Sequence, residues 1–349
     1  MLLLSPSDKQ LREELKVELS QIDSRFSAEL ISDLPCVNVL VDHIERYRGK
    51  MLRPTLVLVS GMASCPEKPE GMASGPGGGL ADSHRVVATV VELVHMATLV
   101  HDDVLDEATT RRRGHTVNNL RGNEMAVMLG DYLISHAYHL CSSIDQPRIN
   151  HLIADATNIV CEGELLQLAN RGNWELDEET YFEIIRRKTA SLCGTCCRMG
   201  AMLHEAPTPM TEALHHYGQN LGVAYQIVDD VLDLVGTEQE VGKTLGRDLQ
   251  KGKLTLPLIH FLHHASPAER EEVLCLVRDQ HVERDRPALD AAQLDRVRRL
   301  VASNGSVEHA RRWAASLIDE AKVAVTDLPD TSSRQLLISM ADAVLTRQF

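Results

Sequence analysis

Residues 86–106 read VVATVVELVHMATLVHDDVLD, an apolar run that ends abruptly in three aspartates. Its apolar residues recur near a 3.6-residue period, which predicts a helix. On that helix Asp102 and Asp106 lie one turn apart on one face, with Asp103 beside them. Carboxylates so placed repel one another, and a solvated face would not follow so apolar a run. The pentapeptide DDVLD recurs at 229–233 behind the apolar LGVAYQIV, and Asp229, Asp230 and Asp233 repeat the geometry. Two apolar helices with matched acidic ends read as two walls of one cavity. Between them a hard cation is expected: oxygen ligands suit Mg2+, which shares its shell with water and phosphate.

The same period predicts helices over 8–31, 121–143, 147–170, 177–203, 209–235, 254–264, 306–325 and 332–347. No strand-like alternation with hairpin turns stands out. Aromatic residues are only 3% of the 349, which favours helices over a sandwich or barrel. The Pro- and Gly-rich stretch CPEKPEGMASGPGGGLADS, residues 65–83, predicts a flexible loop, and 279–290 a shorter surface loop. Residues on both sides of the longer loop belong to one expected site, so 1–349 is read as a single all-α domain.

A net charge of −14 argues against nucleic acid as a partner and requires that any anionic substrate meet local cations or metal. The start, MLLLSPSDKQ, lacks the features of a secretory signal, and no run approaches the length of a membrane span. The eight cysteines are scattered; Cys193, Cys196 and Cys197 read as small apolar residues, and the expected compartment is the reducing cytoplasm. His260, His263 and His264 have metal-ligand spacing, but no chemistry needs them there, and they read as helix-surface residues.

Five motifs in order resemble those of the all-trans polyprenyl diphosphate synthases, head-to-tail prenyltransferases with an isoprenoid-synthase helical bundle around an apolar cavity. They are GKMLRP (49–54), HDDVLDEATTRR (101–112), KTASL (188–192), YQIVDDVLDLVG (225–236) and GKTLGRDLQKGKLTLPLI (242–259). The resemblance implies that Asp102, Asp106 and Asp229 lead the two clusters in holding Mg2+, three ions in all, together with substrate diphosphate. Lys50, Arg53, His95 and Arg112 are then expected at isopentenyl diphosphate. Arg111, Lys188, Thr189, Gln226, Lys243 and Lys253 are expected at an allylic diphosphate such as farnesyl diphosphate. Arg113 stands where the family's pattern leads one to expect glycine.

The implied reaction needs no Ser, Cys or His nucleophile, and no triad is found. Ala97 and Thr98, just before the first cluster, are small where short-chain members carry an aromatic. A product longer than C20, of the kind used for quinone side chains, is therefore expected, with a C15 or C20 synthase as the alternative. A terpene cyclase would not need Lys50 and Arg53, and a non-catalytic subunit of a heteromeric synthase would not keep six aspartates. The resemblance also implies a homodimer.

Overall fold

The run that carries the first aspartates folds as a helix beginning four residues earlier than its periodicity predicts, Asp82–Leu105. The computed structural model describes residues 9–45, 48–65, 79–111, 114–236, 246–282 and 289–346. In the first half of the chain the helices are α1 (Lys9–Glu29), α2 (Pro35–Ile44), α3 (Leu52–Ser64), α4 (Asp82–Leu105), α5 (Val117–Arg121), α6 (Asn123–Ser142) and α7 (Pro147–Ala169). There follow α8 (Glu178–Ile185), α9 (Ser191–Met202), α10 (Thr208–Val235), α11 (Arg247–Gln250) and α12 (Leu256–His264). The last are α13 (Pro267–Val282), α14 (Ala291–Ser303), α15 (Ser306–Ala324) and α16 (Ser332–Leu345). The all-α expectation holds.

The structure departs from the sequence reading in several places, and helices α2 and α14 are among the elements that the periodicity did not predict. The helix expected over 177–203 is interrupted by a π-helical turn, Arg186–Ala190, between α8 and α9. A tight antiparallel pair, β1 (Thr110–Arg111) with β2 (Gly114–His115), was not anticipated, because two-residue strands carry no alternation. Helix α3 also went unread: its residues from Leu56 to Ser64 are all buried, so it shows no amphipathic period. Finally, α13 runs to Val282 into the expected 279–290 loop. The expectation that no run approaches a membrane span is also corrected. By length and composition α4 passes that test, and 72% of its most apolar window is buried within the protein, as in a core helix. Most of the 65–83 loop, residues 66–78, lies outside the described residues.

The chain packs as two compact units: Met1–Thr157 with Leu192–Gly218 and Ala324–Met340, and Asn158–Ser191 with Gln219–Val323 and Ala341–Phe349. In the first, α4 is the central element. Glu18 on α1 is buried and accepts from Arg85 Nε at 2.6 Å and Nη2 at 2.8 Å, which ties α1 to α4. Gly130 lets α6 lie close on α4, since a Cβ there would sit 2.1 Å from His101 Nε2. Cys193, Cys196 and Cys197 are buried, and burial pushes the Cys197 thiol up to about 12, so these thiols pack rather than react.

Buried Phe261, Leu256, Ile259, Val273, Val297 and Ile318 form much of the second unit's core. There His260 stacks between His264 and His309, with ring centroids 4.2 and 4.1 Å away, and His260 Nδ1 lies 2.9 Å from Ser306 Oγ. Burial and those imidazoles pull its pKa down to about 4. Among the described residues no group of three or more His, Cys, Asp or Glu forms a metal cage.

Candidate active site

In the C-terminal half of α4, His95, Thr98, Leu99 and Asp102 are half-buried and follow one another along a single stripe at helical spacing, which Asp106 at the helix cap continues. Thr98 donates its hydroxyl to the His95 carbonyl at 2.7 Å. Ala97 lies off that stripe and is fully buried. The helix then stops in a Schellman turn: Ala108 N–H donates to the Asp103 carbonyl at 2.9 Å and Glu107 N–H to that of Val104 at 3.1 Å. Glu107 takes the left-handed conformation there, with φ 49°, which costs a non-glycine residue about 1 kcal/mol or more.

The turn reverses the chain into β1 and returns Arg111 to the helix it left. Its Nε donates to both Asp103 carboxylate oxygens at 3.0 Å and its Nη2 to Oδ1 at 2.8 Å. Asp103 is 2% exposed, and Asn118 Nδ2 clamps its carbonyl at 3.1 Å. Acidic and basic clusters therefore adjoin partly because one buried aspartate orients one arginine. In the same unit Lys50 is exposed just ahead of α3, and Met51 between Lys50 and Leu52 is left-handed, with φ 55°. Arg53 is half-buried on α3; its Nε is buried with no hydrogen-bond partner among the described residues, and its charge reaches Cys193. Arg112 lies outside the described residues.

In the second unit a cavity of about 130 Å³ collects Lys188, Thr189, Gln226, Asp230 and Lys253, five of the expected residues. The π-helical turn presents Lys188 and Thr189. Gly163 on α7 permits that turn to press close, as a Cβ there would lie 2.6 Å from the Lys188 backbone nitrogen. Lys188 pairs with Glu164 of α7. A chain of hydrogen bonds crosses the cavity wall: Thr189 Oγ1 donates to Gln226 Oε1 at 3.1 Å, and Gln226 Nε2 donates to Asp230 Oδ1 at 2.8 Å. Tyr181 Oη donates to Asp230 Oδ2 at 2.6 Å. Asp233 is also buried; its carboxylate accepts from Asp248 N–H at 3.2 Å and its carbonyl from Gly246 N–H at 2.9 Å. Asp229 is half-buried one turn before Asp233, and Lys243 lies outside the described residues.

Tyr181 and Asp248 line the same cavity, and the sequence reading missed both. Tyr181 stands seven residues before Lys188, two turns up the same helical run, and Asp248 stands inside the quoted 242–259 motif; either spacing could have flagged them. Burial, then the charge of Asp248, holds the Asp230 carboxyl well above the usual range, while its two donors oppose the shift. Burial and then Asp230 itself push the Tyr181 phenol well up. Asp230, held by neutral donors alone beside the carboxylate of Asp248, sits in surroundings that fit a divalent cation.

The polyprenyl synthetase family model matches residues 35–292. Octaprenyl diphosphate synthase of Escherichia coli is 30% identical over 95% of this chain and 96% of its own length. A decaprenyl diphosphate synthase structure from Rhodobacter capsulatus superposes with a TM-score of 0.85 at 32% identity, covering 97% of this chain and 99% of that one. A polyprenyl synthase structure from Caulobacter crescentus, complexed with calcium and isoprenyl diphosphate, also gives 0.85, at 29% identity and 96% coverage of both chains.

Proposed function

This chain belongs to the polyprenyl synthetase family, and on that footing we propose that it joins isopentenyl diphosphate head-to-tail to an allylic diphosphate such as farnesyl diphosphate, building an all-trans chain beyond C20. The observation that carries the reading is the pair of acidic helix ends, in each of which the middle aspartate is buried on protein partners, while Asp102 and Asp106 of the first and Asp229 of the second stand half-buried. Asp102 and Asp106 on one helix and Asp229 on the other would hold Mg2+ together with diphosphate. When bound there, the ion supplies charge stabilisation to departing pyrophosphate.

The chain's own residues then divide the work. Lys188, Lys253, Thr189 and Gln226 bind and orient the allylic diphosphate; Arg111, oriented by Asp103, adds a guanidinium fork suited to phosphate oxygens. Lys50, Arg53 and His95 receive isopentenyl diphosphate, and the buried Nε of Arg53 is a donor available to an anion. The allylic C–O bond breaks with its electron pair leaving on pyrophosphate. The double bond of isopentenyl diphosphate attacks the allylic cation to form the new C–C bond. A proton then leaves the adjacent carbon to pyrophosphate, restoring a double bond. Alignment and exclusion of water by the apolar helices provide the rest.

Relatives named for heptaprenyl, octaprenyl and decaprenyl products support the longer chain, as does an α4 stripe without an aromatic residue. All eight cysteines are free thiols, which suits a reducing cytoplasm. Exposed Leu120, Met125, Val127 and Met128 on α5 and α6 support a homodimer. Spanning nearly the full length of its relatives supports one catalytic domain over the whole chain. Mass analysis of products made from isopentenyl diphosphate with C5, C10, C15 and C20 primers tests the reading. A wild-type enzyme stopping at C15 or C20 would overturn the chain-length assignment. Thr98→Phe, which sets a ring on the stripe above Asp102, should release shorter chains. Ala97→Phe is the less clean probe, because a ring in that fully buried position also strains the core by about 1–3 kcal/mol.

A further inference from the structure

We infer that Tyr181 is a positioning residue which, acting through Asp230, sets the amide of Gln226 and the hydroxyl of Thr189 for the allylic diphosphate. The inference rests on the reading of this cavity as the allylic site. Each carboxylate oxygen of Asp230 has one donor: Tyr181 Oη at 2.6 Å and Gln226 Nε2 at 2.8 Å. An amide that gives its NH2 group to Asp230 must turn its oxygen the other way, and there it accepts from Thr189 Oγ1 at 3.1 Å. The hydroxyl proton of Thr189 is thereby committed inward. Three groups thus have their donor and acceptor roles dictated from one end of the chain, and that end is Tyr181.

The surroundings explain why the end must be held. Asp230 is 5% exposed, and Asp248 adds a second negative charge nearby. Tyr181 is 3% exposed and packs edge-on against Phe182, with ring centroids 5.6 Å apart, so its hydroxyl has little freedom to turn elsewhere. A buried carboxylate with only one donor would be free to rotate about its last bond and release the amide, because a buried acceptor left without a partner is costly. Phenylalanine in place of Tyr181 removes one oxygen and leaves the packing, so the fold should survive.

The test is calorimetric binding of Mg2+-pyrophosphate to the full chain, with steady-state constants for both substrates alongside. Tyr181→Phe should weaken Mg2+-pyrophosphate roughly tenfold or more and raise the allylic KM to match, the loss expected for one hydrogen bond to a charged acceptor. The isopentenyl diphosphate KM should stay within about twofold, since no residue of that site belongs to this chain of bonds. Thr189→Val breaks the far end. If both act along one chain, the double variant loses less than the product of the single losses. Losses that multiply, an equal shift in the isopentenyl diphosphate KM, or a lowered Tm with unchanged binding would each overturn the inference. Asp229→Ala separates it from the site reading: unchanged binding there removes both, whereas lost binding there with an intact Tyr181→Phe removes the inference alone.

Discussion

At the first DDVLD the middle aspartate, Asp103, is buried against a cation, Arg111, that the next turn of chain brings back to it. At the second, Asp230 is buried against a phenol and an amide, with Asp248 as a further acidic neighbour. The pentapeptides are identical, so the difference comes wholly from what each fold delivers. The first cluster settles its buried charge internally, on Arg111, while Asp102 and Asp106 stand half-buried beside it. The second carries buried charge that neutral donors offset only in part. A cation from outside therefore matters more to the second cluster, which is the one lining a cavity beside Lys188 and Lys253.

The largest effects should come from the ligands themselves. Asp102→Ala and Asp229→Ala each remove charge stabilisation worth several kcal/mol, so turnover measured with labelled isopentenyl diphosphate should fall by roughly a thousandfold. On the comparison above, Asp229→Ala should also raise the Mg2+ concentration needed for half-maximal rate more than Asp102→Ala does. Equal metal dependence in the two variants would erase the distinction between clusters.

Acid should test how well the first unit keeps unpaired charge out of its core. His84, on the same helix as Asp102, accepts from Ala81 N–H at Nδ1 and donates from Nε2 to the Gly200 carbonyl at 3.1 Å. Both nitrogens are satisfied only in the neutral ring, and burial, then His204, pulls its pKa from 6.5 down to about 4. The unfolded chain therefore binds the proton more readily. This contribution is fully present above pH 6.5 and is lost as the pH falls towards 4, to a limit of about 3 kcal/mol at roughly 1.4 kcal/mol per unit. Urea midpoints of the protein should fall between pH 7 and 4.5, and His84→Gln should flatten that dependence. A wild-type midpoint indifferent to pH across this range would refute the account.

The smallest effect is the most discriminating. Asp103→Asn leaves Arg111 beside a neutral amide and forfeits a charge-assisted pair, so melting without metal should show a loss of roughly 1.5–3 kcal/mol. Asp230→Asn removes a buried charge whose partners are neutral, and stability should hold or rise even as activity falls. Parallel losses in the two variants would mean that the middle aspartates are equivalent after all.

Much of this was legible beforehand, for identifiable reasons. The helices carrying the aspartates were readable because one buried face imposes a period, and the aspartates because like charges one turn apart are conspicuous. Lys188, Thr189, Gln226, Asp230 and Lys253 do meet at one cavity. Helix α3 hid because burial on all sides erases the period, and the π-helical turn hid because one extra residue per turn leaves no mark on composition. Tyr181 hid because a tyrosine leading into an apolar run, Tyr181–Phe182, reads as core, which by burial it is.

What the sequence alone determined is therefore the chemistry available: two acidic helix ends, the cations that accompany them, and the all-α class that local periodicity enforces. What tertiary structure decided is which of those charges are already spoken for. Asp103 meets Arg111 only because a Schellman turn reverses the chain, and Asp230 meets Tyr181 across 49 residues of sequence. Local interactions specify helices within a few residues, whereas the partner of a buried carboxylate depends on which distant segments packing brings within 3 Å, and no local pattern encodes that distance.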